Sequence, residues 1–407
     1  MIHPATPVRP DARNAARGAG PIPVPVPVRI RAGTAFRPAR PFSPRRVLRA
    51  LAPSLAIALP LALAPPLAPD PTARAGPATF EPEGLRPVAV RATPIRRFHL
   101  LGNRAGGLDF LGGLVLRARA PLASLSGLDR LGPDAYLAVT DVGDWVRLDV
   151  ARDARGRLAS ATARAGPIAT RVRGRSRDKS DIDAESVRLL PGGDALVAFE
   201  RRNRVERYAP DGRLKAALPL PIPARELRRN QGLETVALAP VVSPLGGATL
   251  VIAERSLDAA GDIFGAVLSG PRRGVFKLRR SDGFDVTDAA FLPGGDLVVL
   301  ERAYDGRLSL RVRVRRIAGT AIRPGARLDG PVLMEAGLAS EIDNLEGLAV
   351  HEDARGTVLT LVSDDNGRFY QRTLLLEFAL RADAPAPPGE GPPAPPSDVP
   401  VPRMRPS

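Results

Sequence analysis

Three segments of the sequence repeat one pattern: Leu196-Val197-Ala198-Phe199-Glu200-Arg201, Leu250-Val251-Ile252-Ala253-Glu254-Arg255 and Leu297-Val298-Val299-Leu300-Glu301-Arg302. Each is an apolar run that ends in Glu-Arg, and each run has the length and the Val/Ile/Leu content of a buried strand. Glycine-rich turn residues stand upstream of every run, at Pro191-Gly192-Gly193-Asp194, Leu245-Gly246-Gly247 and Pro293-Gly294-Gly295-Asp296. The sequence therefore predicts three copies of a strand–turn–strand hairpin.

Two looser copies extend the series to five. Residues 136–141 end in Thr-Asp, and residues 358–364 end in Ser-Asp. One leading residue marks the expected start of the first strand in each copy: Gly127, Glu185, Glu234, Asp288 and Glu346. These residues lie roughly 50 to 60 positions apart, and repeats of that length with several strands each are typical of propeller blades.

We therefore predict an all-β chain that forms a β-propeller of five or six four-stranded blades. In the copy with the clearest strands, they fall at residues 185–190, 195–201, 204–208 and 213–219. Further strands are predicted at residues 88–92, 95–101 and 114–118, and the apolar segment Thr373–Leu380 has no hairpin partner after it. Pairing of an N-terminal strand with this C-terminal strand would close the ring.

Composition excludes several classes of function. The net charge is +16, but residues 1–75 hold 11 arginines and two acidic residues, so nine of the sixteen excess charges lie there. Aromatic residues are 4% of the chain and the other arginines are scattered among acids, which argues against nucleic-acid binding. The absence of cysteine excludes disulfides, thiolate metal sites and a cysteine nucleophile.

Residues 1–75 have the pattern of an export signal behind a long basic leader that we expect to be disordered. Arg45-Arg46 precedes an apolar stretch over residues 50–68 and the small-residue pattern Ala73-Arg74-Ala75. The arginine pair resembles a twin-arginine signal, and an ordinary Sec signal is the alternative. Prolines interrupt the apolar stretch, so we expect cleavage near Ala75 and no stable membrane span.

The predicted organisation is the signal over residues 1–75, a linker with the first strand over 76–96, the propeller over 97–381 and a Pro-rich, disordered tail over 382–407. We expect a periplasmic or secreted monomer.

Acidic residues recur at one end of every predicted hairpin. The start of the first strand and the end of the second meet at the same end of an antiparallel pair. The expected neighbours are Glu185 with Glu200, Glu234 with Glu254, Asp288 with Glu301, and Glu346 with Asp364. In a propeller these ends surround the channel mouth, which predicts one acidic rim: Asp141, Glu185, Glu200, Glu234, Glu254, Asp288, Glu301, Glu346, Asp364 and Asp365.

Carboxylates gathered at one rim cannot all stay ionised without cations. One source of cations is the arginine after each acid, Arg201, Arg255 or Arg302, which should pair with the next blade because neighbours on a strand face opposite ways. The Glu-Arg units would then be salt bridges that only fix the ring. The other source is Ca²⁺, which suits oxygen-rich sites without sulfur. Asp364-Asp365-Asn366-Gly367 is the most metal-like segment and is also the pattern of a plain hairpin turn.

These motifs together resemble the phytase-like family described as having esterase-like activity, which is found in exported bacterial proteins. The resemblance covers residues 97–380 and rests on these segments: Leu125-Ser126-Gly127-Leu128 with residues 138–144, Asp183-Ala184-Glu185-Ser186 with Phe199-Glu200-Arg201, Asn230-Gln231-Gly232-Leu233-Glu234, and Asn344-Leu345-Glu346-Gly347-Leu348 with Ser363-Asp364-Asp365-Asn366. It implies a β-propeller that hydrolyses phosphate or carboxylic esters. The phosphate-binding residues of calcium-dependent propeller phytases cannot be matched one by one to residues of this sequence.

Three functional hypotheses follow. The first is an exported, calcium-assisted hydrolase of a small anionic or ester substrate. In it, Glu185, Glu234 and Glu346 act as ligands or base, and Arg201 or Arg255 neutralises an anionic substrate. The second is a non-catalytic envelope propeller that binds a partner or a polymer. The third is a lactonase-like calcium propeller, which uses the same rim and differs only in substrate.

Overall fold

The computed structural model describes residues 80–118, 122–171, 178–306 and 309–387. The predicted export signal and the end of the Pro-rich tail lie outside these residues. The first strands in chain order are β1 (Arg86–Val88), β2 (Val90–Ile95), β3 (Arg104–Ala105), β4 (Leu108–Ala118), β5 (Leu125–Gly132), β6 (Ala135–Thr140), β7 (Asp144–Arg152), β8 (Leu158–Pro167), β9 (Ala184–Leu189), β10 (Ala195–Phe199), β11 (Arg204–Tyr208) and β12 (Leu214–Leu218).

The remaining strands are β13 (Leu233–Leu238), β14 (Thr249–Leu257), β15 (Ile263–Val267), β16 (Gly274–Leu278), β17 (Asp285–Phe291), β18 (Leu297–Ala303), β19 (Arg311–Ile317), β20 (Arg327–Leu328), β21 (Val332–Gly337), β22 (Leu345–Asp353), β23 (Gly356–Ser363) and β24 (Thr373–Leu380). Helical structure in the described residues is limited to α1 (Lys179–Ile182) and the 3₁₀ turns Leu122–Ser124, Ala224–Glu226 and Gly319–Ala321. Within these same residues, no helix has the length and apolar character needed to cross a bilayer.

The strands form five sheets, each of which is one blade. In order from the inner strand outward they are blade 1 (β5-β6-β7-β8-β1), blade 2 (β9-β10-β11-β12), blade 3 (β13-β14-β15-β16-β20), blade 4 (β17-β18-β19-β21) and blade 5 (β22-β23-β24-β4-β2). Each inner strand contacts the inner strands on both sides, and β22 returns to β5. The all-β propeller is therefore confirmed, with five blades rather than six.

The two ends of the described chain close the ring, as predicted. In blade 5 the C-terminal strand β24 pairs with the N-terminal strand β4, from Leu380 opposite Leu108 to Thr373 opposite Leu116, and β4 pairs with β2. Strand β1 instead completes blade 1 by pairing with β8. Both β1 and β2 precede residue 97, where the propeller was expected to begin. The strand expected over residues 95–101 ends at Ile95, because the chain then turns back and His99 bridges Gly102.

Apolar surfaces between neighbouring blades form the core. The second strands are buried on both faces and therefore read as continuous apolar runs, such as β10 with all five residues buried. Tight turns precede these runs, and Gly193 and Gly295 adopt φ angles of 82° and 96°, which favour glycine.

Arg188 on β9 closes the channel in the middle of the ring. Its guanidinium donates hydrogen bonds to backbone carbonyls on the four other inner strands: Leu128 on β5, Val236 on β13, Ala289 on β17 and Leu348 on β22. It also donates to both carboxylate oxygens of Asp288, at 3.2 Å. One side chain therefore connects all five blades, and any site at the rim opens to one end of the propeller only.

Candidate functional site

A β-bulge in every inner strand shapes the rim. In blades 2, 3 and 5 one residue of the inner strand is left without a partner on the second strand, and that residue is Glu185, Glu234 or Glu346. In blade 1 the register shifts between Leu125 and Leu128. A bulge re-aims the extra side chain, which is why bulges recur next to functional sites. Three of the predicted acids therefore occupy equivalent places around the ring.

Blade 4 departs from this pattern by one residue. Here Val286 pairs with Glu301 and Asp288 pairs with Leu300, so the bulged residue is Thr287. Because side chains alternate along a strand, a shift of one position moves each residue to the opposite face. Asp288 and Glu301 are therefore not neighbours at the rim, contrary to our expectation. Arg302, the residue after Glu301, takes the rim position.

Both misplaced acids are buried in other networks. Asp288 accepts hydrogen bonds from Arg188, from the Ser186 hydroxyl at 2.9 Å and from the Leu348 amide at 2.8 Å. Glu301 accepts hydrogen bonds from Arg313 Nε at 3.2 Å and from Arg315 Nε at 2.7 Å. Glu301 is thus held by salt bridges, but to arginines of β19 in its own blade and not to the arginine of a Glu-Arg unit.

The acids of blades 2 and 3 come together. Carboxylate oxygens of Asp183, Glu185 and Glu200 lie within 4.8 Å of one another, and so do those of Glu200, Glu234 and Glu254. We call these five residues the carboxylate cluster. Asp183 is not among the acids predicted from the sequence, although it stands two positions before Glu185 and such residues share one face of an extended chain.

Glu200 joins the two groups of the cluster and is held by the loop before β13. Its Oε1 atom accepts hydrogen bonds from the backbone amides of Gln231 and Gly232, the second at 2.9 Å. Gln231 has a φ of 72° and Arg201, next to Glu200, has a φ of 54°. Positive φ at residues other than glycine costs energy and tends to occur at functional sites.

Three cations touch the cluster without neutralising it. Lys179 Nζ lies 2.5 Å from Asp141 Oδ2 and 2.6 Å from Asp183 Oδ1, and Arg201 Nε donates to Asp183 Oδ2 at 2.5 Å. Arg302 lies between blades 3 and 5, where it contacts Glu346 and also Glu254 at 3.5 Å. Arg201 thus pairs within its own blade, whereas Arg302 bridges its two neighbours.

The remaining predicted residues lie around this arrangement. Arg255 pairs with Asp285 of blade 4 at 2.9 Å, as expected for pairing with the next blade, and it is not in the carboxylate cluster. Asp364 is buried near Glu346 and Asp141. Asp365 is engaged in the turn that follows, where it accepts hydrogen bonds from the Gly367 amide and the Thr373 hydroxyl, both at 2.9 Å.

Burial and mutual repulsion raise the pKa values of Glu185, Glu234, Glu254 and Asp364. Loss of solvation is the largest cause for Glu185 and Glu234, and the neighbouring carboxylates add to it, so their pKa values lie well above the ordinary range. The pKa of Glu254 is raised by burial to about 7 although Arg302 opposes the shift, and burial raises that of Asp364 to about 8. The rim therefore needs protons or a cation at neutral pH.

Three buried carboxylate oxygens at the rim lack a hydrogen bond among the described residues, Glu234 Oε2, Asp141 Oδ1 and Asp183 Oδ1, although the last lies 2.6 Å from Lys179 Nζ. Glu234 is 8% exposed, so water does not readily replace the missing partner. The condition for a ring of salt bridges alone, that every rim acid is paired, is therefore not met.

Comparison with protein families finds one match, over residues 120–367, to the family described as phytase-like with the esterase-like activity of phytase. The chain belongs to the phytase-like family. The phytase-like match runs from the residues before β5 into the turn after β23, so it contains every rim position, from the bulge of blade 1 to Asp364. It supports a hydrolase-type propeller.

Similar folds occur among solved structures. Virginiamycin B lyase from Staphylococcus aureus is 9% identical to this chain, with a TM-score of 0.34. The alignment covers 72% of this chain and 100% of the lyase. A glucose dehydrogenase is 13% identical, with a TM-score of 0.37, and the alignment covers 66% of this chain and 98% of the dehydrogenase. A luciferin-regenerating enzyme is 10% identical, with 72% and 97% covered and a TM-score of 0.35. Similarity at this level carries no argument about activity. Among curated proteins, none matches the chain.

Proposed function

We propose that this protein hydrolyses phosphate or carboxylic esters at the carboxylate cluster, with Ca²⁺ held by Asp183, Glu185, Glu200, Glu234 and Glu254. The observation that carries the proposal is the buried Glu234 Oε2, which has no hydrogen-bond partner among the described residues and belongs to a group of carboxylate oxygens within 4.8 Å of one another. An unpaired buried carboxylate is costly unless a cation compensates it.

The chemistry of the donors fits calcium. All five side chains offer carboxylate oxygens, and Ca²⁺ takes six to eight oxygen ligands in flexible geometry. The chain contains no cysteine, and the cluster contains no histidine, so softer transition metals find no preferred ligand there. Calcium, when bound there, would act as a Lewis acid on an ester oxygen and promote ionisation of water.

The chain's own residues supply the proton transfers. Glu346, which is not among the proposed calcium ligands and whose pKa is raised by burial, is placed to act as the general base, which accepts a proton from water as its oxygen attacks the acyl carbon or phosphorus. The bond to the leaving oxygen then breaks, and the carboxylic acid returns the proton to it. Arg302, joined to Glu346 at the edge of the cluster, is placed to hold the departing group. Arg201, beside Asp183, is placed to meet a negative charge on the substrate.

The proposal extends to export and to partners. A twin-arginine-like or Sec signal that ends near Ala75 would deliver a periplasmic or secreted monomer, and a small ester would be its partner rather than nucleic acid or membrane. N-terminal sequencing of the exported protein tests this part, and a start near Gly76 is expected. A mature protein that keeps residues 1–75 would contradict it.

The catalytic proposal is tested with chromogenic phosphate and carboxylic esters. Purified protein should hydrolyse one of these classes in calcium, lose the activity in chelator and regain it when calcium is restored. Glu346→Gln should abolish turnover, whereas Glu352→Gln, an exposed change on the same strand β22, should leave it unchanged. Absence of turnover on both classes with and without calcium would reject the hydrolase.

A further inference from the structure

A cleft of different chemical character opens beside the rim. It encloses about 560 Å³, which lies within the usual range for small-molecule sites. Three loops form its walls and contribute Tyr304 after β18, Leu338 between β21 and β22, and Tyr370 between β23 and β24. Its floor contains Arg302 and Glu346 of the rim. We call this space the tyrosine cleft.

The walls of the tyrosine cleft leave apolar surface uncovered. Tyr304 is 68% exposed, Tyr370 is 62% exposed and Leu338 is 51% exposed. The chain has four tyrosines, and the other two, Tyr136 and Tyr208, are fully buried. Both exposed tyrosines thus line one cleft next to a polar site, which is typical of a groove for a ligand. A flat apolar group stacks well on such rings.

The polar groups of the cleft are largely engaged already. Arg368 Nη1 donates to the Tyr370 hydroxyl at 2.8 Å and holds that ring at the wall. The Arg302 guanidinium is shared by Glu254, Glu346 and the Asn344 side chain.

This arrangement discriminates between the two ester classes. A phosphate monoester dianion at the floor would lie beside carboxylates and would find the charge of Arg302 already balanced by Glu254 and Glu346, so it would meet net repulsion. An uncharged carboxylic ester does not meet this repulsion, and its carbonyl can accept a hydrogen bond from the Asn344 amide or from Arg302. Charge complementarity therefore favours the carboxylic ester.

We propose that the tyrosine cleft binds the aromatic group of an uncharged carboxylic ester, with Tyr304 and Tyr370 against the ring and the ester group directed to Arg302 and Asn344. This inference rests on the proposed ester hydrolysis and narrows its substrate class. In the reaction, water adds to the acyl carbon, the bond from that carbon to the phenolic oxygen breaks, and the proton released by water ends on that oxygen.

Matched coumarin probes test the proposal. 4-Methylumbelliferyl acetate and 4-methylumbelliferyl phosphate carry the same aromatic group and differ in charge. The acetate should have a kcat/KM about a hundredfold higher than the phosphate. Binding of free 4-methylumbelliferone, followed by fluorescence anisotropy in chelator, gives a readout that needs no turnover.

Tyrosine variants connect both readouts to the cleft. Tyr370→Ala and Tyr304→Ala should each raise the Kd of 4-methylumbelliferone about tenfold, as expected for loss of one aromatic contact. Tyr370→Phe keeps the ring and should bind like the native protein. Val242→Ala removes an even more exposed apolar side chain from the turn between β13 and β14, at the opposite end of the propeller from the rim, and should leave the Kd unchanged.

The outcomes separate the two proposals. Preference for the phosphate probe, or a Kd that is unchanged in both alanine variants, would overturn the assignment of the cleft. Absence of turnover together with tyrosine-dependent coumarin binding would overturn the hydrolase and support the aromatic site.

Discussion

Glu234 and Glu301 carry the same side chain and are both buried, but their surroundings are opposite. Glu301 is surrounded by Arg313 and Arg315, whereas Glu234 faces other carboxylates and keeps one oxygen without a partner among the described residues. A charge that is buried with partners and a charge that is buried without them respond differently to neutralisation. The same Glu→Gln change therefore distinguishes them.

In chelator at pH 8, Glu234→Gln should raise the melting temperature by about 2 to 4 °C, the shift that roughly 1 kcal/mol produces in a large domain. The amide removes a negative charge that burial and Glu185 disfavour. The same variant should bind calcium at least about tenfold more weakly, measured by titration calorimetry. Lower stability in chelator combined with native calcium affinity would contradict the assigned role.

Glu301→Gln serves as the matched control and should behave in the opposite way. Loss of the charge leaves the buried Arg313 and Arg315 with only their outer partners, Asp282 and Asp329, which costs about 3 kcal/mol. Denaturant unfolding should show this loss equally in calcium and in chelator, because Glu301 is not in the carboxylate cluster. A calcium-dependent effect would mean that the ion contacts blade 4 instead.

At the scale of the structural element, the second strand of each blade ends with one residue at the rim. Four blades place an acid there, Asp141, Glu200, Glu254 or Asp364, and β18 of blade 4 places Arg302. This arginine provides a fixed positive charge on one side of the ring. The calcium proposed for the other side is held by acids of blades 2 and 3.

Arg302→Gln should therefore destabilise the protein mainly when calcium is absent. Glu254 and Glu346 lose their shared partner, at a cost of about 3 kcal/mol in chelator. Added calcium should recover part of this loss by binding the released carboxylates, so the difference in melting temperature between the two conditions should exceed that of the native protein. Arg255→Gln is the control. Arg255 pairs with Asp285, so the stability lost in this variant should be the same with and without calcium.

For the whole molecule, the raised pKa values predict how stability varies with pH. Burial raises the pKa of Asp288 to about 6, that of Glu254 to about 7 and that of Asp364 to about 8. Each group binds its proton more tightly in the folded than in the unfolded chain. Its contribution to stability is complete below its unfolded pKa and is lost as the pH rises through its folded pKa.

The metal-free protein should thus become less stable as the pH rises from 5 to 8. Each group contributes about 1.4 kcal/mol for every unit by which its pKa in the folded chain exceeds that in the unfolded chain. Calcium should flatten the profile, because the ion offsets the charges that deprotonation exposes. Melting temperatures across this pH range with chelator and with calcium provide the measurement. A stability that rises with pH in chelator would show that the cluster is compensated within the chain.

The ring as a whole depends on Arg188, which bonds to the four inner strands around it. Arg188→Met keeps much of the side-chain length but leaves Asp288 and four carbonyl groups without this donor. We expect a loss of about 3 to 5 kcal/mol in denaturant unfolding, the range found when a buried ion pair is broken. In a double-mutant cycle, adding Asp288→Asn to Arg188→Met should restore part of the lost free energy of unfolding. Additive losses would mean that the two side chains act independently.

The amino-acid sequence by itself determined the hairpins, their five copies, the four strands of blade 2 and the acids Glu185, Glu234 and Glu346. These features follow from local patterns: apolar runs, glycine turns and a recurring spacing. Even in blade 4 the signal was present, because Val286-Thr287-Asp288 aligns with Leu233-Glu234-Thr235 once the apolar residue is matched. Matching the acids of the copies instead places Asp288 at the rim, one position out of register.

Only the tertiary structure decided the exact set of neighbours. The register of one bulge sends Glu301 into the blade and Arg302 to the rim. The alternation of apolar and polar residues along a strand does not specify where such a one-residue shift occurs. The two acidic groups share Glu200 because blades 2 and 3 converge, and Arg188 reaches carbonyls up to 160 positions away. Such contacts depend on closure of the ring, which joins residues that no local pattern relates.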